Sequence, residues 1–135
     1  MGFTTSFRMG QLLNYSLDAP AHPDGMETHE FMSTCFVDAV RACLRKGGFA
    51  KKEHEVEEGG TFLVGYRGHL FQMFGDYQMS EAACGFDACG SGANVALGAL
   101  YTSPRRRPQD RLLHALEAAE SLNAGVRGPF VIEVA

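Results

Sequence analysis

The chain has 135 residues, 45% of them hydrophobic and 21% charged, which suits one domain with a real core and excludes a disordered chain. Its 12 basic and 16 acidic residues leave a formal charge of −4, which argues against nucleic acid as the main partner because phosphate neutralisation needs a basic surface. No apolar run approaches about 18 residues, so no membrane partner or span is expected, and the opening MGFTTSFRMG lacks the basic-then-apolar order of a signal peptide.

Residues 5–17 read as a short helix, with Ser6 as its cap and Leu12, Leu13 and Leu17 as its apolar face. The two prolines of DAPAHPDG make a loop. Phe31/Met32, Cys35/Phe36, Ala39/Val40 and Cys43/Leu44 then recur every four residues, one wide apolar stripe on a helix from Glu27 to Lys46. Thr28 is its candidate cap, and Gly47-Gly48 stops it. The charged run KKEHEVEE (51–58) reads as a solvated loop.

Thr61–Tyr66 and His69–Phe74 read as a β-hairpin closed by Arg67-Gly68. Further extended pieces are expected at Tyr77–Met79 and Gly85–Cys89. Gly90-Ser91-Gly92 leads into a small-residue helix over Ala93–Tyr101, ended by Pro104. Pro108 opens a second helix to Asn123, with Leu112, Leu113, Leu116, Ala119 and Leu122 as its apolar stripe. Phe130–Val134 is a last strand. The order of elements is α+β or layered α/β, with strands and helices not alternating one by one.

Cys35, Cys43, Cys84 and Cys89 form no CxxC pair and read as buried free thiols of a reducing cytosol. Neither they nor the five histidines have metal-ligand spacing, so no metal or cofactor is expected. Gly90-Ser91-Gly92 is the candidate site. Its glycines allow close backbone approach, and the amides of Gly92 and Ala93 at a helix start can hold an anion or oxyanion. The simpler reading is a tight turn, because the nucleophile pattern G-x-S-x-G is not met. Arg105-Arg106-Arg107 reads as an exposed helix–helix loop before it reads as an anion site. Asp76, Glu81 and Asp87 show no spacing for paired acid–base work, and His114 reads as structural. The match of Met1–Ser6 to a myristoylation pattern is weak.

The run FLVGYRGHLFQMFGDYQMSEAACGFDACGSGANVALGALY (62–101) resembles the central part of proteasome β-subunit-like chains, nearest to bacterial HslV-type peptidases and their divergent bacterial and phage forms. GFTTSFRMGQLL at the start, and the closing helix with FVIE, are similar in place. The resemblance implies the layered αββα sandwich of the N-terminal nucleophile hydrolases as a single domain, truncated at its N-terminus. It implies a family activity of threonine-type peptide hydrolysis, in which an N-terminal threonine supplies both hydroxyl and amine. Gly2 takes the oxyanion-glycine position and Ser91 the position beside the threonine amine, so these two stand as the implied catalytic-support residues.

This sequence departs from that pattern. The segment carrying the threonine, an aspartate and a lysine has no counterpart here, and Thr4 and Thr5 lie beyond the glycine. Ser121 stands at an acidic position, and Arg8-Met9 replaces an Ala-Asp pair. The expectation is a cytoplasmic homo-oligomer, dimer or ring, inactive as a peptidase alone, with an upstream segment or an ATPase as further partners. The alternative is a non-catalytic assembly or regulatory protein that keeps the fold. A third reading is an unrelated α+β module that binds a phosphate at Ser91.

Overall fold

The computed structural model describes residues 1–4, 6–49, 51–53, 56–105 and 107–134. The chain is α+β and divides into two compact units, Met1–Gly85 and Phe86–Ala135. None of its described helices is long and apolar enough to cross a membrane.

The first unit opens with β1 (Gly2–Phe3) and α1 (Phe7–Tyr15). Ser6 caps α1 as expected, its hydroxyl accepting from the Met9 amide at 3.3 Å. Thr5 lies outside the described residues. The helix expected over 27–46 is present as α2 (Thr28–Phe31), a π-helical segment (Met32–Phe36) and α3 (Val37–Lys46). A strict four-residue repeat outruns the 3.6-residue turn, so its stripe would drift round an ordinary helix. The π turn absorbs about one extra residue. It brings Phe36 and Val37 into line with Phe31, Met32, Val40, Cys43 and Leu44, all buried. Cys35 is left half-buried. The residue before α2 is Glu27, with no side-chain cap bond, and Thr28 lies inside the helix.

The hairpin is found as β4 (Phe62–Tyr66) and β5 (His69–Met73), paired antiparallel with Tyr66 opposite His69. Arg67 and Gly68 both take positive φ, 48° and 82°. That pair of left-handed residues makes the mirror-type turn whose twist suits a hairpin. β1 adds to β4 and β6 (Met79–Glu81) adds to β5, giving the sheet order β1-β4-β5-β6. One sheet face carries Phe62, Val64, Phe71 and Met73, all buried in a common core with Met9, Leu12, Leu13 and the α2–α3 stripe.

Three expectations are corrected between residues 51 and 89. Residues 51–58 form a two-stranded ribbon, β2 (Lys51–Glu53) with β3 (Val56–Glu58), His54 and Glu55 lying outside the described residues. Its register sets Lys51 opposite Glu58 and Lys52 opposite Glu57, an order invisible to hydrophobic periodicity. The strand expected at 77–79 starts two residues later. Asp76 accepts from the Gln78 amide at 3.0 Å and Tyr77 takes a positive φ, so the turn is longer. The stretch 85–89 is not a strand. Gly85 has a φ of +72°, and Asp87 accepts from the Ala88 amide at 2.8 Å.

The loop before α2 is anchored by His22, which the sequence did not single out. Its ring stacks on Phe31 and Tyr66, with centroids at 4.4 and 5.8 Å. The Met26 carbonyl, 2.9 Å from Nε2, can only accept, so that nitrogen carries a proton. Nδ1 is hydrogen-bonded to the Tyr66 hydroxyl at 3.1 Å.

The second unit holds α4 (Ala93–Thr102) and α5 (Pro108–Leu122), with Pro108 in the first turn as expected. Their seam is Ala96, Leu100, Ala115 and Ala119. The expected α5 stripe is only partly internal: Leu112, Leu113 and Leu122 are exposed. Small alanines let the helices approach closely, which leaves the leucines outside the seam. Arg111 ties the pair, donating from Nε and Nη2 to the Leu100 carbonyl at 3.0 and 2.6 Å and lying over the Phe86 ring at 4.5 Å. The strand expected at 130–134 is absent. Val131 and Val134 are exposed there, and the stretch belongs to neither of the described sheets.

No disulfide joins the described cysteines, but the expected burial holds only for Cys43: Cys35 and Cys89 are half-buried and Cys84 is exposed. Burial pushes the Cys43 thiol above its ordinary pKa, with Lys46 opposing part of the shift. The folded state thus holds this proton more tightly than the unfolded chain. The resulting stabilisation is full below the ordinary thiol range and is lost as pH climbs through the raised value.

Two outcomes follow for this core. Phe71→Ala, at a side chain with no exposed surface, should lower the unfolding free energy by about 3–5 kcal/mol in a urea titration; a loss below about 1 kcal/mol would mean that the sheet face is not packed as described. In thiol titration at pH 8, Cys84 should react first and Cys43 only as fast as the protein opens. Equal rates for the two would contradict the burial of Cys43.

Candidate functional site

Gly90, Ser91 and Gly92 form the turn that opens α4, with Gly92 at the cap position. Gly90 has a φ of +109°, which a side chain would resist. Gly92 is buried, and a Cβ there would stand 2.6 Å from Val126 Cγ2 and 3.0 Å from the Ala119 methyl. The second glycine of the triplet is therefore required by packing against α5 and the segment after it.

Ser91 is exposed and held by Asn123, the residue that follows α5. The Ser91 hydroxyl donates to Asn123 Oδ1 at 3.1 Å, and Asn123 Nδ2 donates back to the Ser91 carbonyl at 2.8 Å. The Gly125 amide also donates to Asn123 Oδ1, at 2.8 Å. A Cβ on Gly125 would fall 2.7 Å from the Ser91 Oγ. One asparagine thus closes the start of α4 onto the end of α5. The sequence marked this region only as a helix stop; the Asn-Ala-Gly order was the available signal.

These bonds limit the chemistry. A serine nucleophile needs an adjacent base, and the hydroxyl here faces an amide oxygen, which takes no proton at neutral pH. Of the two candidate amides, that of Ala93 donates to the Gly90 carbonyl at 3.1 Å. An amide so engaged is not free to hold an anion. Gly2 is exposed in β1, opposite Leu63, in the first unit, whereas Ser91, Gly92 and Ala93 belong to the second.

The other candidates resolve into local structure. Glu81 meets His69 Nδ1 at 2.7 Å, both partly exposed on the sheet. Arg107 pairs with Asp110 at 2.9 Å, Arg105 is exposed, and Arg106 lies outside the described residues. His114 is half-buried. Ser121, at the position where the resemblance has an acid, donates to the Glu117 carbonyl at 2.9 Å. Met9, in the replaced Ala-Asp pair, is fully buried in the core. An open depression of about 390 Å³ beside α1 is lined by Met1, Gly10, Gln11, Leu13, Asn14 and Tyr15, without a carboxylate, imidazole or thiol. Among the described residues, no group of three or more His, Cys, Asp or Glu could hold a metal ion.

No protein-family model matches the chain, and no curated protein matches it in sequence. In structure the chain is similar to a solved chain described as Thiobacillus denitrificans BPH, with a TM-score of 0.72 and 22% identity. The likeness covers 98% of this chain and 74% of that one. At this identity it establishes a shared fold.

Asn123→Ala removes both links to Ser91 and should cost about 1–3 kcal/mol. In hydrogen exchange, it should raise the exchange of amides at the start of α4 while leaving those of β4 and β5 protected. Unchanged exchange at 90–96 would show that Asn123 does not hold this turn.

Proposed function

We propose that this chain is a subunit of a proteasome-like assembly of the N-terminal nucleophile hydrolase type, and that residues 1–135 furnish its frame rather than its nucleophile. The observation that carries this reading is the strand–glycine–helix run 62–101, folded as hairpin, turn and α4. Its turn is locked by Asn123 at the place where the resemblance puts a nucleophile's support. The likeness of fold along nearly the whole chain to a longer solved chain is in keeping with it. On this reading the layered αββα sandwich is completed by strands beyond β1-β4-β5-β6, the subunits associate with one another, and the setting is cytoplasmic. Peptide hydrolysis then belongs to the completed assembly, with Gly2 and Ser91 in supporting places.

A non-catalytic assembly or regulatory protein of the same fold is the second reading. It is favoured by one observation: the Ser91 hydroxyl is spent on Asn123 rather than aimed at a base.

Purified residues 1–135, offered a panel of fluorogenic peptides, should show no turnover above buffer, and Ser91→Ala should change nothing. Negative-stain electron microscopy of the same sample should show closed rings or paired subunits. Turnover abolished by Ser91→Ala would overturn the frame role, and uniform single subunits would overturn the assembly.

A further inference from the structure

We draw no further inference here: the strongest candidate, the outer face of α4 and α5 on which Tyr101, Leu112 and Leu113 are exposed, carries nothing because nothing in the structure shows what covers it.

Discussion

Everything in the first unit depends on one sheet face. Phe62, Val64, Phe71 and Met73 alternate along β4 and β5 and are buried together. That alternation works only in the observed register, because a slip of one residue would turn every one of these side chains outward. The turn at Arg67-Gly68 sets the register with two residues of positive φ. β1, β6 and the helices are then fitted to a surface already decided. The π turn at Met32–Phe36 is one such fit: it keeps a repeat that is too long for an ordinary helix aimed at the core.

The second unit is organised on a different principle. Its seam is narrow and built from alanines, and Arg111 reaches across to the Leu100 carbonyl. A charge-assisted bond to a helix-end carbonyl is stronger than a neutral one, and it offsets the modest apolar area that alanine can bury. The consequence is visible at Leu112, Leu113 and Tyr101, which a wider seam would have covered.

The Gly90–Gly92 turn looks different once Asn123 is beside it. In a strip of sequence, two glycines round a serine invite an anion or a nucleophile. In the folded chain, each of the three residues serves the local structure. Gly90 supplies a positive φ, Ser91 bonds to Asn123, and Gly92 makes room for Val126 and Ala119. Rigid placement is what a supporting element of a larger site needs. It also suffices for an element with no chemistry of its own.

Local structure was legible in the residues alone. The Ser6 cap, the hairpin with its tight turn, Pro108 at the start of α5 and the existence of every described α-helix could all be read there. They depend on interactions within a few residues, which periodicity and turn chemistry encode. The remaining features were settled by packing between parts of the chain that lie far apart. The ribbon at 51–58 is the exception, a local pairing of strands that the hydrophobic pattern does not carry. The stretch 130–134 has strand composition but joins neither of the described sheets, and a ladder needs two strands. The leucines of α5 read as core because pattern reports how much of a helix is apolar, not how close its neighbour comes. His22 and Asn123, which pin a loop and a helix start, were unmarked because their partners lie 44 and 32 residues away in the chain. Only folding brings such distant groups within hydrogen-bond reach.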